Sequence, residues 1–255
     1  MSSYVAAANN YTHYEAAITR QLGQQSLTFL QIPEIVSIFG VDEVFGRKYE
    51  QQIAREFPAF VRRVQTEEAL KKTLQAFNGL GAAFLFSSDV FGMPVSAYTM
   101  RYIYHALVIG GHLEARYAEQ AVDVVEIGGG YGGLAFWLQR LYPSIASYTI
   151  YDLPAANQLQ LRCLTHLGSF ATCLSDSTQH TKNPERPLFV ISNYGYSELN
   201  ETYQALYKQT LLDHADGGFM IWNNWTGIRP FTNLPIRVEE ERPVFEGCYN
   251  KFLFF

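Results

Sequence analysis

Charge is scarce in this chain of 255 residues: Lys, Arg, Asp and Glu make up 17% of it, against 48% hydrophobic residues. The positive part of that charge does not gather either. The formal net charge is -5 and no run of Lys and Arg appears, which argues against a nucleic-acid backbone or another polyanion as partner. Cysteine is nearly missing. Cys163, Cys173 and Cys248 are odd in number and lack metal-ligand spacing, which excludes a disulfide framework and suits three buried thiols in a reducing compartment. Long apolar runs are absent too: none approaches the roughly 20 residues that span a bilayer, and the N-terminus has no basic stretch followed by an apolar one. The expected protein is soluble and cytoplasmic, without internal repeats or low-complexity segments.

Aromatic rings, by contrast, are plentiful. Seventeen Tyr and 18 Phe help bring aromatics to 15%, and core filling is the first use expected of any one ring. The length allows one large α/β domain with an N-terminal extension, or two small domains sharing a cleft. From Tyr11 to about Phe77 apolar positions recur at helical spacing, as in Ile53, Phe57, Phe60, Val61 and Val64, with Pro33 and Pro58 near helix starts or boundaries. Residues 78–96, NGLGAAFLFSSDVFGMPVS, break that period and predict a long loop or short extended pieces able to reach over a site. Ser96 is placed to cap a helix over AYTMRYIYHALVIGGHLEARY, which Gly110 and Gly111 are expected to weaken or end.

Beyond residue 118 short apolar runs alternate with amphipathic stretches. VDVVEI, SYTIYDL, PLFVISNY and GFMIWNNW predict strands, and FATCLS a weaker one. GGLAFWLQRLY, PAANQLQLRCLTHLG and ELNETYQALYKQTLLDHA predict helices, with Pro154 in the first turn of the second. That order implies a parallel sheet wrapped by helices on both faces. The last two runs, IRVEEERPVF and NKFLFF, are joined by EGCY, too short for a parallel crossover, so they are expected to pair antiparallel.

The stretch VVEIGGGYGGLAFW sits between the first of these strands and the first of these helices, where glycines let backbone approach a ligand and a helix N-terminus supplies N–H groups. It satisfies two fingerprints. Gly128, Gly130 and Gly133 fit the dinucleotide pattern G-x-G-x-x-G, while Glu126, Gly128, Gly130 and Gly132 fit an acidic E-x-G-x-G-x-G. Both ask for an acid at the end of the next strand to hold ribose hydroxyls, and Asp152 stands there. Three features separate them. A pyrophosphate is repelled by Glu126, whereas an ammonium or sulfonium is attracted. Only about 120 residues follow the turn, which leaves little for a later substrate domain. A terminal antiparallel pair departs from the plain six-strand doubly wound sheet.

Together these features resemble the class I S-adenosylmethionine-dependent methyltransferases, over roughly residues 122–255. The resemblance implies an α/β fold: a Rossmann-like seven-stranded sheet, parallel with an antiparallel terminal hairpin, plus a helical N-terminal region. Residues 1–118 would form a mainly helical cap or substrate region and residues 119–255 the catalytic domain. It implies S-adenosyl-L-methionine as cofactor, with Glu126 and the turn Gly128, Gly129, Gly130, Tyr131 and Gly132 at its aminoacyl end. Asp152 and Leu153 would lie at its ribose, Asp176 beside adenine, and Asn193 with Tyr194 under the reacting methyl group. Three stretches, DVFGMPVSAYTMRYIYHAL, VVEIGGGYGGLA and FVISNYGYSEL, further resemble the sugar O-methyltransferase family, in which an FGNP-like loop precedes the glycine turn and an SNYxxSEL-like segment ends the fourth strand. Met93 stands where that loop carries a polar residue. The implied partner is a small-molecule sugar, nucleotide-sugar or glycan acceptor.

Methyl transfer from a sulfonium is an in-line displacement: the acceptor oxygen is placed behind the methyl carbon, water is kept away, and a base or hydrogen bond helps the hydroxyl proton leave. Candidates for that help are Glu198, His105, Tyr194 and Tyr196. Plainer roles stand beside them: Glu198 as an early-helix carboxylate complementing the dipole, His105 as a hydrogen-bonded core residue. Tyr131 either places its ring near the sulfonium or packs against the helix. Asn223, Asn224 and Trp225 end the fifth strand and suit a sugar's hydroxyls and apolar face, or form an ordinary polar loop. No metal is demanded. Asp152 is committed, Asp213 and Asp216 lie at a helix end, and Glu239 to Glu241 suggest a solvated strand face. The leading expectation is an S-adenosylmethionine-dependent O-methyltransferase, monomeric or oligomeric. A nicotinamide-dependent oxidoreductase and an inactive module keeping the pocket as a scaffold are the alternatives.

Overall fold

The computed structural model describes residues 2–223, 230–244, 247 and 249–255, with side chains from residue 11 onward. The chain forms two compact units, Met1–His105 with Thr165–Gly168, and Ala106–Leu164 with Ser169–Phe255.

In the first unit helix α1 (Ser2–Leu22) is followed by α2 (Pro33–Phe39), α3 (Glu43–Glu56), α4 (Pro58–Thr66) and α5 (Glu68–Asn78). Pro33 and Pro58 open α2 and α4, where a missing N–H breaks no helical hydrogen bond. Asp42 caps α3 by accepting from the Phe45 N–H at 2.9 Å. Ile53, Phe60 and Val64, at their helical spacing, are buried, while Phe57 and Val61 are half-buried. Residues 78–96 resolve into short extended pieces: β1 (Leu85–Ser88) and β2 (Met93–Ser96) pair antiparallel, Leu85 opposite Ser96. Met93 is buried, which accounts for an apolar residue at its place.

Helix α6 (Ala97–Tyr117) begins as expected, with Ser96 Oγ accepting from the Thr99 N–H at 3.0 Å. The expected break at Gly110 and Gly111 does not occur. A Cβ on Gly110 would lie 1.8 Å from Cζ of Tyr142, so the glycine makes room for a ring instead of ending a helix. Packing outweighs the helix penalty of glycine, about 1 kcal/mol.

The second unit carries β3 (Val122–Ile127), α7 (Gly133–Leu141), β4 (Ile145–Tyr151), α8 (Pro154–His166), β5 (Thr172–Leu174) and β6 (Leu188–Asn193). After these come α9 (Gly195–Glu198), α10 (Glu201–Thr210), β7 (Gly217–Trp222), β8 (Arg237–Glu240) and β9 (Lys251–Phe254). The seven strands lie in the order β5-β4-β3-β6-β7-β9-β8. The first five are parallel, and β9 runs antiparallel to both β7 and β8. This is the expected Rossmann-like sheet with its antiparallel terminal hairpin. β7 is buried throughout and β6 nearly so, as continuous apolar runs in a parallel sheet should be. β5 is an edge strand of three residues with exposed ends, which is why its sequence signal is weak. One expected buried thiol is not fully covered: Cys163 is buried, but Cys173 on this edge strand is half-buried. Cys248 lies outside the described residues.

Two features of the sheet locate a site. Chain order reverses between β3 and β6, and open α/β sheets bind ligands beyond the carboxyl ends of the strands at such a switch point. In addition, Lys251, which opens β9, pairs with both Trp222 and Glu240. The tip of the β8–β9 hairpin therefore stands at the same edge as those carboxyl ends.

Candidate functional site

The glycine turn leaves β3 at that edge with three left-handed residues: Gly128 (φ 78°), Gly130 (φ 56°) and Gly132 (φ 87°). No L side chain adopts such a series cheaply. Gly128 donates to Tyr151 O at 2.9 Å and Gly132 to Gly129 O at 2.8 Å, fixing the turn against β4. Gly129 is required by space, since a Cβ there would lie 2.5 Å from Cγ2 of Ile150. No side chain caps α7 at Gly132. A helix N-terminus of that kind offers N–H groups and a partial positive charge to a polar ligand.

Asp152 ties the tip of β4 to this turn. Its Oδ2 accepts from the Gly129 N–H at 2.9 Å and from Gln160 Nε2 at 2.8 Å, while Oδ1 accepts from the Leu153 N–H at 2.8 Å. Gln160, fully buried on α8, also donates to Gly130 O at 3.1 Å. Glu126 lies just before the turn and is 2% exposed, with Oε2 accepting the Tyr148 hydroxyl at 2.9 Å. Burial pushes its carboxyl up to about 8; the Tyr148 hydrogen bond opposes the rise and the Asp152 carboxylate adds to it. Burial thus works against the negative charge expected of Glu126. The side chain is a mostly protonated acid that a nearby cation would ionise.

The tip of β6 comes close to the same turn. Ser192, 1% exposed, donates to Ile127 O at 2.7 Å and accepts from the Tyr196 N–H at 2.8 Å. A Cβ on Gly195 would lie 3.0 Å from Ile127 O and 3.4 Å from the Gly128 Cα, so the backbones of the two tips nearly touch. Asn193 ends the strand half-buried. Tyr194 follows in the left-handed region at φ 68°, unusual for a bulky residue, and its hydroxyl donates to Oε1 of Glu241. Glu198, exposed on α9, accepts from Asn223 Nδ2 at 2.8 Å.

Tyr196 is 3% exposed among Trp222 and Phe231, its hydroxyl donates to Gln204 O at 3.2 Å, and burial pushes that hydroxyl up to about 12. It serves the core. His105 belongs to the first unit, where its ring lies 5.6 Å from that of Tyr49 and 6.0 Å from that of Tyr104; burial and then Arg101 hold it well below the ordinary imidazole value. Tyr131 is buried at 2% exposure. Asp176 caps the single turn Ser177–Gln179, accepting from the Thr178 N–H at 2.9 Å and lowered by its Thr178 hydrogen bonds. Asn224 and Trp225 lie outside the described residues. The solvated face expected of Glu239 to Glu241 is corrected at its last member: Glu241 is 3% exposed, because its carboxyl is enclosed by Tyr194 and Asn250. Sequence reasoning missed Ser192, Gln160, Gly195 and Glu241. The first two left a trace, as polar residues at apolar positions of a strand and a helix.

Among the described residues no group of three or more His, Cys, Asp or Glu is arranged to hold a metal ion, and no helix is long and apolar enough to cross a membrane. No protein-family model matches the sequence, and no curated protein matches it. Among solved structures it is similar to a SAM-dependent methyltransferase from Aquifex aeolicus, at 13% identity over 57% of this chain and 88% of that one, with a TM-score of 0.39. It is similar also to the S-adenosylmethionine-dependent methyltransferase SibL, at 12% identity over 82% of this chain and 73% of that one, TM-score 0.40. A third is the 23S rRNA methyltransferase ErmE, at 14% identity over 58% of this chain and 66% of that one, TM-score 0.38. At these scores the likenesses carry no argument about cofactor or acceptor, and the fold stands on its own strand order.

Proposed function

We propose that the second unit binds S-adenosylmethionine beyond β3 and β6 and transfers its methyl group to a hydroxyl of a sugar, nucleotide sugar or glycan. The observation that carries the cofactor is the backbone of the turn. Its left-handed residues are Gly128, Gly130 and Gly132, the alternating positions of the acidic fingerprint, whereas the dinucleotide pattern leaves position 132 free. The residues present fit such a ligand: an uncapped helix N-terminus, Asp152 at the ribose position, and in Glu126 a buried acid ready to ionise beside a cation.

When bound, the cofactor supplies a methyl carbon made electrophilic by its sulfonium. The protein's part is to orient the acceptor, exclude water and take up a proton. Tyr194 is well placed for the last, being half-buried at the tip of β6 and next in the chain to Gly195, which nearly touches the turn. Glu198 and Asn223 present a carboxylate and an amide joined by a hydrogen bond, a pair that suits neighbouring hydroxyls of a sugar.

Calorimetry with S-adenosylmethionine and with nicotinamide dinucleotides tests the cofactor, and a panel of nucleotide sugars and glycans read by product mass tests the acceptor. We expect S-adenosylmethionine alone to bind, and at least one acceptor to gain a methyl group. Nicotinamide binding without S-adenosylmethionine binding overturns the reading. Cofactor binding with no methylated product from the panel overturns the sugar assignment.

A further inference from the structure

A buried carboxyl group stands behind Tyr194. Glu241 follows β8 at the tip of the terminal hairpin, where its N–H donates to Asn250 O at 3.1 Å. Its side chain is 3% exposed and accepts at both oxygens, from the Tyr194 hydroxyl at Oε1 and from Asn250 Nδ2 at Oε2, the latter at 2.8 Å. Two donors aimed at one carboxyl group satisfy a carboxylate and hold it in place. Tyr194 is equally constrained. Its N–H donates to Ile221 O at 3.0 Å and its carbonyl accepts from Ser197 Oγ at 2.7 Å, which together hold the residue at φ 68°. That conformation is strained for a bulky residue, and strain of this kind clusters at functional sites. Delivery of a phenol to the edge where β6, the glycine turn and the hairpin tip converge gives a reason for that strain.

We infer that Glu241 is a positioning residue for methyl transfer: it holds the Tyr194 phenol and receives the phenol's proton when Tyr194 takes the proton of the acceptor hydroxyl. This rests on the S-adenosylmethionine reading above. The acceptor oxygen forms its bond to the methyl carbon while the carbon–sulfur bond breaks and leaves its electron pair on sulfur. The hydroxyl proton moves to Tyr194 Oη, and the tyrosine's own proton moves to Glu241. A sulfonium charge and a carboxylate charge vanish together, leaving a thioether, a methyl ether and a neutral acid. No ion is created in a poorly solvated place.

The test uses the full chain with tyrosine isotope-labelled at Cζ, Tyr194 being assigned by its loss in Tyr194→Phe. Glu241→Gln keeps the side-chain shape and removes the charge. In that variant the Tyr194 phenol should titrate at lower pH than in the wild type, while S-adenosylmethionine affinity by calorimetry stays within about twofold. With whichever nucleotide sugar accepts a methyl group, kcat should fall roughly 100-fold at little change in KM, and the acid limb of the kcat–pH profile should disappear. Tyr194→Phe should show the same loss, and it answers the question should Glu241→Gln fail to fold. The inference is overturned by identical Tyr194 titration in wild type and Glu241→Gln, a result that needs no acceptor, or by wild-type kcat in either variant. In both cases cofactor binding still stands. A wild type that binds no S-adenosylmethionine removes the underlying reading, and this inference with it.

Discussion

Two buried glutamates at one edge of the sheet, each hydrogen-bonded to a tyrosine, are set up in opposite ways. Glu126, at the end of β3, accepts from Tyr148 at 2.9 Å and has the Asp152 carboxylate close by, so that burial lifts it to about 8. Glu241, on the hairpin tip, accepts from Tyr194 and also from Asn250 at 2.8 Å. The first is built to stay protonated until a cation arrives. The second accepts from two donors, an arrangement that favours a carboxylate. Position in the sequence pointed the other way: the acid beside the glycines looked charged, and the one inside an acidic run looked solvated. Donors and neighbours, more than place in a motif, decide what a carboxyl group does.

The contrast can be broken first by pH. If Glu126 must ionise to face a cation, S-adenosylmethionine affinity should rise up to about tenfold per pH unit below 8 and then level, a roughly 50-fold gain from pH 6 to pH 8. Glu126→Gln should bind as the wild type does at low pH and gain nothing. Calorimetry in buffers of different ionisation heat should also detect proton release near pH 7, and a wild-type affinity independent of pH would contradict the assignment.

The same carboxyl should affect stability without ligand. Its pKa rises from 4.5 to about 8, so between those values the folded state binds the extra proton. Its contribution is fully present below pH 4.5 and is lost as pH rises to about 8. Glu126→Gln removes that decline and should be more stable than the wild type at pH 8 by roughly 4 kcal/mol, with little difference at pH 4. Denaturant titrations at the two pH values check this. A smaller effect is expected from Tyr148→Phe, which removes a donor that favours the ionised form. The pH at which cofactor affinity levels should move upward, at a stability cost of about 1 kcal/mol.

Much of the fold is legible in the sequence because each element carries its own signal. Pro33, Pro58 and Pro154 mark helix starts, and the buried runs of β6 and β7 show a parallel sheet. The glycine turn is legible for the same reason, its requirements being local. What escapes is whatever depends on a distant partner. Gly110 is explained by the Tyr142 ring, Gly195 by the approach of Ile127 and Gly128, and the enclosure of the Glu241 carboxyl by Tyr194 and Asn250. A polar aromatic residue on an apolar stripe, such as Tyr196 or His105, looks alike in the sequence whether it serves a core or a site, and only the fold shows that both are buried.

The finest test of the contrast takes one donor from the second glutamate. Asn250→Ala deletes the amide that donates to Glu241 Oε2 and leaves the Tyr194 hydrogen bond in place, which brings this carboxyl one donor closer to the state of Glu126. A hydrogen bond to a charged acceptor contributes somewhat more than a neutral one, and water entering at the hairpin tip replaces part of it, so the stability loss should be about 1 kcal/mol. Losing a donor to the ionised form should raise the pH at which Glu241 begins to accept protons freely. The acid limb of the kcat–pH profile should therefore move upward by a fraction of a unit, with kcat at pH 7 reduced about threefold, far less than in Glu241→Gln. An unmoved limb would mean that Asn250 braces the hairpin without tuning the carboxylate, and the number of donors would no longer explain why the two glutamates differ.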